Sequence, residues 1–254
     1  MGNVIAIARK ELKSYFASPI AYVVIGFFAL VFGWFFFVSL TYFVQASMQM
    51  GAPGQNQLNV NSMAIRPLFQ NVSVVALFVL PLITMRTYSE EKRSGTIELL
   101  LTSPLTDTQI VLGKFLGAVA LYALMLAVTL IHIGILFLYG NPEWKPIATG
   151  YLGLLLMGAS FMSIGLLISS LTKNQIVAGM STFAALLLLW TLSWMMDSAG
   201  PMMRSVLSAL SITNRFEDFS NGVVAVSHLV YYLSFITFGL FLTTKSVDSE
   251  RWRG

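Results

Sequence analysis

The chain has 254 residues, of which 56% are hydrophobic and only 10% are charged, and its net charge is +4. So few charges exclude an ordinary soluble globular protein and favour one that crosses a membrane several times. The absence of cysteine excludes a disulfide framework, a thiolate metal site and a cysteine nucleophile.

Six long stretches of the sequence contain no Asp, Glu, Lys or Arg, and each is close to or longer than the roughly 20 residues that a membrane-spanning helix needs. In lipid every backbone amide must be bonded internally, so these stretches should be helices. They lack the alternating pattern of barrel strands. We therefore predict an all-α polytopic membrane protein with six transmembrane helices. The spans are expected near 20–44, 66–86, 110–138, 148–171, 176–196 and 223–244.

The distribution of Lys and Arg predicts the orientation of these six spans. Six helices leave both termini on one side, and that side carries eleven basic residues, whereas the other carries four. The four are Arg66, Lys145, Arg204 and Arg215. Because cytoplasmic loops are enriched in Lys and Arg, both termini are expected in the cytoplasm. The positive charge is thus a topology signal, and no nucleic-acid partner is expected.

Residues 3–18 are predicted to form an amphipathic helix at the inner membrane surface, ending at Ser18-Pro19. Four apolar side chains can share one face: Ile5, Leu12, Tyr15 and Phe16. Three basic side chains would face water and lipid headgroups: Arg9, Lys10 and Lys13. The alternative is an ordinary basic flank of the first span.

The most unusual segment is 90–104, where five of fifteen residues are charged between two predicted spans. Gly95 is expected to break the helix, Thr96–Ser103 to form a short separate helix, and Pro104 to end it. Thr106 and Gln109 have the spacing of a capping box, which would begin the third span.

This short helix carries an apolar patch, formed by Ile97 and the three leucines 99–101, among charged neighbours. A solvated loop does not normally expose such a patch. The leucines must be buried in their own bundle, at the membrane interface, or in a groove on a partner. Burial under the chain's own bundle is the plainest of these alternatives.

The segment 197–222 mixes charged residues with short apolar stretches, so it is too polar to span twice and too apolar for a free loop. We expect a re-entrant or interfacial helical hairpin packed against the bundle on the outer side.

The chain lacks the residues of several common chemistries. The Gly113-Lys114 pair is followed by Phe115, and no Gly-x-x-x-x-Gly-Lys-Ser/Thr phosphate loop occurs. The predicted spans hold no Asp, Glu, Lys or Arg well inside the bilayer, which disfavours an ion-coupled carrier. His132 is expected to be hydrogen-bonded between helices. No catalytic, metal or cofactor site is expected in this chain.

The segment Thr84–Pro104 contains Glu-Glu-Lys-x-x-Gly-Thr-x-Glu-x-Leu-Leu, and with the six spans it resembles the permease subunits of ABC-2 type transporters. The likeness extends over essentially the whole chain as one domain, 1–254. Residues 210–223 resemble the outer segment of the branch that contains the gliding-motility-associated permease and the permease for nitrous-oxide-reductase maturation.

The resemblance implies that 90–104 is a coupling helix that docks on a separate ABC ATPase. Ten residues would serve ATPase coupling: Glu90, Glu91, Lys92, Arg93, Gly95, Thr96, Ile97, Glu98, Leu100 and Leu101. Residues 197–222 would be re-entrant outer helices, with four candidate residues: Arg215, Phe216, Glu217 and Asp218.

The resemblance also implies the partners and the location. ATP and Mg would be bound by the ATPase subunit, and the working unit would contain a second permease, identical or homologous. Periplasmic or membrane accessory proteins are possible further partners, and the location would be the bacterial cytoplasmic (inner) membrane. Two alternatives stay open on the sequence: a non-transporting membrane scaffold that recruits cytoplasmic partners, and an ion-coupled carrier that works alone. The cargo and the direction of transport are also open.

Overall fold

The computed structural model describes residues 2–49, 59–195 and 200–251. Within these ranges the chain forms eleven α-helices and one π-helical turn, Asn61–Ile65, and it contains no β-strand. The prediction of an all-α protein is therefore confirmed.

Six of the helices are long and apolar enough to cross a membrane, as predicted. They are α2 (Pro19–Gln49), α3 (Arg66–Thr84), α6 (Asp107–Tyr139), α7 (Trp144–Leu171), α8 (Gln175–Met195) and α11 (Val226–Arg251). The last helix extends to Arg251, beyond the predicted end of its span at 244.

Five shorter helices lie at the two ends of this bundle: α1 (Gly2–Ala17), α4 (Ser89–Ser94), α5 (Thr96–Leu101), α9 (Pro201–Leu210) and α10 (Ile212–Ser220). We call the end that holds α1, α4, α5 and the C-terminus of α11 the terminal end. The opposite end holds α9 and α10.

Helix α7 lies at the centre of the bundle, and two-thirds of its most apolar stretch is buried by its neighbours. Small residues allow close packing: a Cβ on Gly153 would lie 2.6 Å from the Cβ of Phe219. The buried hydroxyls of Ser160 and Ser163 donate to carbonyls of their own helix. By contrast α2, α8 and α11 are mostly exposed apolar surface, as expected for helices that face lipid or another subunit.

Helix α1 packs on the terminal end of α6, and its buried face differs from the predicted one. Ile7 and Glu11 are buried against Gly113 and Gly117, whereas Ile5 is 65% exposed. Ile5 thus lies outside the face that packs on α6, and its contact with the membrane surface stays a prediction. The Gly-x-x-x-Gly spacing on α6 lets the backbone of α1 approach closely and selects the face that fits between the glycines. The three basic residues predicted to face outward are exposed.

Candidate functional site

The segment between α3 and α6 forms two short helices that meet at Gly95. Gly95 ends α4 and precedes α5, with a φ of 74° in the left-handed region. A glycine takes this conformation without the steric cost that a Cβ brings. The predicted helix break is present, and α5 ends at Leu101, two residues before the predicted end.

The start of α6 has the predicted capping box. The Thr106 hydroxyl accepts a hydrogen bond from the Gln109 amide at 3.3 Å, and the Gln109 side chain accepts one from the Thr106 amide at 3.5 Å. This reciprocal pair satisfies two amide groups that a helix N-terminus otherwise leaves unpaired. It fixes where the chain turns from α5 back into the bundle.

The start of α4 is hydrogen-bonded to a serine of the central helix α7. The Ser169 hydroxyl accepts from the backbone amides of Tyr88 (3.1 Å) and Ser89 (3.2 Å), and it donates to the Met85 carbonyl at 3.1 Å. Because the two amides and the carbonyl are buried away from water, these three hydrogen bonds satisfy backbone groups that would otherwise be unpaired. Helix α4 is thus attached to α7 at its first residue.

A buried lysine joins α4 to α1 and α6. Lys114 of α6 is 1% exposed, and its Nζ lies 2.7 Å from Glu91 Oε1 and 3.1 Å from Glu11 Oε1. It also donates to the Thr87 carbonyl at 3.0 Å. Lys10 lies 3.1 Å from Glu11 and 3.5 Å from Glu91 at the outer edge of the cluster. Two cations therefore face two carboxylates, so the buried lysine is neutralised where it lies.

The charges of this cluster act on the carboxyl of Glu11. Burial alone would raise the pKa of the Glu11 carboxyl, but Lys114 and Lys10 outweigh burial through their charges and hydrogen bonds, so its pKa is lowered. Glu11 is therefore ionised at neutral pH, as the contact with Lys114 requires.

Lys92, which follows Glu91 in α4, forms an ion pair on a different side of that helix. Its side chain is 4% exposed, and its Nζ lies 2.7 Å from Glu250 Oε1 near the end of α11. Consecutive residues of α4 therefore contact two different parts of the bundle: Glu91 contacts α6, and Lys92 contacts α11.

The remaining coupling candidates divide into buried and exposed groups. Ile97 is 8% exposed and packs in the chain's own core, and Leu100 is half-buried. Glu90 is paired with Arg86 at 2.9 Å. Three candidates are exposed on the terminal end: Arg93, Thr96 and Glu98. The side chain of Leu101 lies outside the described residues.

Leu99, which sequence reasoning did not include among the contact residues, is 74% exposed. In a helix, residues 97, 100 and 101 lie on one face, and residue 99 lies nearly opposite residue 97. Burial of Ile97 therefore turns Leu99 outward, and the helical period could have revealed this.

A cleft of about 660 Å³ opens between α1 and the pair α4–α5. Charged side chains from both sides line it, and Leu99 and Leu100 contribute apolar surface. The charged lining residues are Lys10, Glu11, Arg86, Glu90 and Glu91. The terminal end thus presents a recess next to an exposed leucine.

The candidates of the outer segment attach α10 to its neighbours. Arg215 stacks on the Tyr231 ring at 3.6 Å and donates to the carbonyls of Ser208 (3.1 Å) and Ser211 (2.9 Å), so it binds the end of α9. Phe216 is buried in the core. These contacts fix the turn between α9 and α10.

The two acidic candidates of α10 pair with other helices. Glu217 forms an ion pair with Arg66 at the start of α3. Asp218 Oδ2 lies 2.8 Å from His228 Nε2 on α11. Helices α9 and α10 of the segment pack against the bundle, and residues 197–199 lie outside the described residues. The depth of the segment relative to a membrane stays a prediction.

A family model described as "ABC-2 family transporter protein" matches residues 5–245 of the chain. The chain belongs to the ABC-2 transporter family. It is also similar to the "Probable multidrug ABC transporter permease YbhR" of Escherichia coli K12 and of Escherichia coli O157:H7. Each match is 32% identical over 112 residues, which is 44% of this chain and 30% of the relative.

Membership of the ABC-2 family agrees with the missing phosphate loop, because permease subunits of this family lack an ATPase of their own. It also agrees with the six long helices. The narrower likeness to the gliding-motility and nitrous-oxide-reductase branch stays a prediction.

Within this member of the ABC-2 family, His132 does not make the hydrogen bond expected between helices. Its ring packs 5.4 Å from the ring of Phe32 and 5.6 Å from that of Phe36, and its Nδ1 has no hydrogen-bond partner among the described residues. Gly33 makes room for it, because a Cβ there would lie 2.9 Å from His132 Nε2. The expectation was wrong because the α2 side chains that contact the ring are the aromatic ones of Phe32 and Phe36.

Proposed function

We propose that the chain is the permease subunit of an ATP-driven ABC-2 transporter in a bacterial cytoplasmic membrane. In this proposal α5 docks on a separate nucleotide-binding subunit, which binds ATP and Mg. The observation that carries it is the exposure of Leu99, 74% exposed beside charged residues on a helix outside the bundle. An apolar side chain so placed fits a groove on a protein partner.

The charges around Leu99 fit the rim of such a contact. Arg93 and Glu98 are exposed on either side of Gly95, and both lie outside the buried ion pairs of α4. Charged rims around an apolar centre are the usual composition of protein interfaces. The ion pairs of α4 with Lys114 and Glu250 hold this helix against the bundle, and they thereby fix the position at which α5 begins.

The proposed orientation of the chain in the membrane follows from the distribution of its basic residues. The terminal end carries most of them, including Arg9, Lys10, Lys13 and Arg93. By the positive-inside rule, this excess of basic residues supports a cytoplasmic location for the terminal end. The cleft and α5 then face the compartment that contains ATP.

A second permease subunit, identical or homologous, completes the proposed transporter. Helices α2, α8 and α11 have less than a quarter of their most apolar stretches buried within the chain. One permease leaves this surface to lipid, and a second permease would cover part of it. Two permeases and two ATPases would make the working unit.

The test is to purify the tagged full chain from its native membrane and to identify what accompanies it. The proposal predicts a stoichiometric ATPase subunit whose ATP hydrolysis is faster with the permease than without it. A permease that binds an ATPase without changing its hydrolysis would instead be a scaffold. Uptake into vesicles that is driven by an ion gradient without ATP would contradict the proposal in favour of a carrier.

A further inference from the structure

A recess of about 350 Å³ lies between α3, α8 and α10, near the end of the bundle opposite the terminal end. Its volume falls within the range of ligand pockets, about 300–1,000 Å³. Amide side chains and two tryptophan rings contribute to its lining: Gln70, Asn71, Trp190, Trp194 and Asn214. The recess therefore offers both hydrogen-bonding groups and aromatic faces.

The amide groups of the recess have no partner within the described chain. The side chains of Gln70, Asn71 and Asn214 form no hydrogen bond with another described residue. Gln70 and Asn71 follow the first residue of α3 by four and five positions, so they lie about 6–8 Å along a helix that is long enough to cross the membrane. Unpaired amides are costly where water is scarce. Their donors and acceptors are thus available to a polar group from outside the chain.

Toward the middle of the bundle, the surface formed by α3 and α8 becomes apolar. Val74 lines the recess, and Phe78, one helical turn further along α3, packs on Phe183 of α8 with ring centroids 4.9 Å apart. Phe78 is 55% exposed, and Met180, one turn from Phe183 on α8, is 64% exposed. We call these four residues the α3–α8 surface. A polar recess near one end of the spans, continued by an apolar surface at greater depth, matches an amphiphilic ligand.

Two tryptophans mark the depth at which the polar part gives way to the apolar part. Trp190 and Trp194 pack edge-to-face with ring centroids 4.6 Å apart, and Trp194 is 64% exposed. Tryptophan is enriched at the level of lipid headgroups, because its ring is amphipathic. Its ring face also attracts cations such as an ammonium group. The recess therefore lies at headgroup depth and can receive a cationic group.

The charges at the recess favour a headgroup without net charge. Glu217 is the only charged side chain among the described residues that line it, and Glu217 forms an ion pair with Arg66 at the start of α3. The opposite charges of this pair cancel, so a net anionic headgroup meets no excess positive charge. A zwitterionic headgroup can place each of its charges near the opposite member of the pair.

We propose that the recess and the α3–α8 surface bind a zwitterionic phospholipid of the phosphatidylethanolamine type. Its phosphate accepts hydrogen bonds from the Gln70 and Asn71 amides, and its amino group lies near Glu217 and the indole rings. One acyl chain covers Phe78 and Phe183. A water-soluble ligand would leave the apolar surface uncovered, and a hydrocarbon chain alone would leave the amides unpaired. The proposal does not rest on the proposed function, because it requires no ATPase.

Lipid binding to the delipidated full chain in detergent tests the proposal. Native mass spectrometry counts the bound lipids during titration with phosphatidylethanolamine or phosphatidylglycerol. One phosphatidylethanolamine should bind more tightly than any phosphatidylglycerol. Asn71→Leu and Trp194→Leu should each weaken this binding at least about 3-fold, as expected for the loss of one hydrogen bond or one aromatic contact.

Matched variants separate this site from general attraction to the membrane surface. Asn141→Leu and Trp144→Leu make the same changes at exposed positions of the same end of the bundle, outside the recess, and should leave the affinity unchanged. Wild-type affinity in Asn71→Leu and Trp194→Leu, or an equal loss in the controls, would overturn the proposal.

The headgroup preference gives a second test, because it depends on one charge. Glu217→Gln leaves the Arg66 cation without its partner, so the affinity ratio should shift toward phosphatidylglycerol at least about 5-fold, the effect of one basic residue on an anionic lipid. The control is Asp218→Asn, which removes a carboxylate on the same helix that pairs with His228 outside the recess. An unchanged ratio in Glu217→Gln, or the same shift in Asp218→Asn, would contradict the zwitterionic ligand.

A single cysteine distinguishes a lipid from a second copy of the chain on this surface. The sequence has no cysteine, so Val74→Cys introduces one unique thiol in the recess. Phosphatidylethanolamine should slow its reaction with N-ethylmaleimide, and phosphatidylglycerol should slow it less. Oxidation of the variant to a disulfide-linked dimer would overturn the proposal in favour of a contact between two permeases. Because no ATPase is present in these measurements, their failure leaves the proposed function untouched.

Discussion

Ile7 of α1 packs directly on Gly113 of α6: a Cβ built on the glycine would lie 2.5 Å from the isoleucine Cβ. One turn further along α6, a Cβ on Gly117 would lie 2.8 Å from the Cβ of Glu11. The two glycines thus form the surface on which α1 lies, and they bring Glu11 within reach of Lys114. The charged cluster depends on this close packing.

Gly113→Val should therefore displace α1 from α6. The added side chain would overlap Ile7, and the glycine lies against helix backbone as well, with the Val4 carbonyl 3.1 Å from the same Cβ position. In a background with Ile7→Cys, a water-soluble maleimide should label the cysteine faster after the change. Gly134→Val on the same helix is the control, because no atom lies within 4 Å of its Cβ position. Equal labelling rates in both variants would show that α1 does not depend on Gly113.

Lys114→Met should destabilise the folded protein by up to about 3 kcal/mol, because it removes the buried cation of the cluster and leaves Glu11 and Glu91 with the exposed Lys10. The free energy of unfolding in detergent or bicelles measures this loss. Lys173→Met, at an exposed position in the turn between α7 and α8, should change it by no more than about 0.5 kcal/mol. A loss at Lys114 no larger than at Lys173 would mean that the cluster contributes nothing to stability.

Acidification should weaken the attachment of α1. The pKa of Glu11 is lowered from its ordinary value of 4.5 in the folded protein. A carboxyl with a depressed pKa stabilises the fold above its unfolded pKa, and the stabilisation disappears as the pH falls through the folded value. The melting temperature should therefore fall below about pH 4.5, and Glu11→Gln should reduce that fall relative to the wild type. An identical pH profile for the variant would contradict this role for Glu11.

Gly95→Ala should destabilise the break between α4 and α5 by about 1–2 kcal/mol, because a Cβ is unfavourable at positive φ. Gly95→Asn should cost less, since asparagine adopts this conformation more readily. Gly26→Ala is the control, because that glycine lies within α2 with open space around it. The melting temperatures of the three variants rank the destabilisation that each change causes. If Gly95→Ala were no worse than Gly26→Ala, the left-handed conformation would not be required.

The six spans could be predicted from the sequence because the signal for each span is local. An uncharged stretch of the right length has few alternatives in lipid, and Thr106 with Gln109 specifies a helix start within four residues. The break at Gly95 is equally local. Each of these predictions needed only neighbouring residues, and each is present in the fold.

The charged cluster could not be predicted in the same way, because its members are far apart in the chain. Glu11, Glu91 and Lys114 come together only when α1 lies on α6, and the sequence shows no pairing between them. In the sequence, Lys114 counts only among the eleven basic residues on the side of the termini and in a Gly-Lys pair that is not part of a phosphate loop. The Gly113 and Gly117 spacing was the available signal, since small residues four apart mark a close helix contact.

The resemblance to ABC-2 permeases implied the coupling candidates, and the fold separates them by direction. Glu91 and Lys92 contact the bundle, while Arg93 and Glu98 face outward. Charge alone does not reveal which side of a short helix is buried. Leu99 differs from these charged residues. Its apolar character suggested that it is buried with its neighbours, but the helical turn places it on the outside.

Leu99→Asp is the sharpest test of whether Leu99 on α5 contacts an ATPase. The variant and the wild type are purified with the co-purified ATPase, and the bound ATPase and its stimulated ATP hydrolysis are measured. Leu138→Asp is the matched control, because that leucine is also highly exposed but lies at the opposite end of the bundle. We predict that Leu99→Asp inserts normally, weakens ATPase binding at least about 10-fold, as expected for loss of an interface anchor, and loses stimulation, while Leu138→Asp retains both. Full binding and stimulation in Leu99→Asp would show that Leu99 does not contact the ATPase.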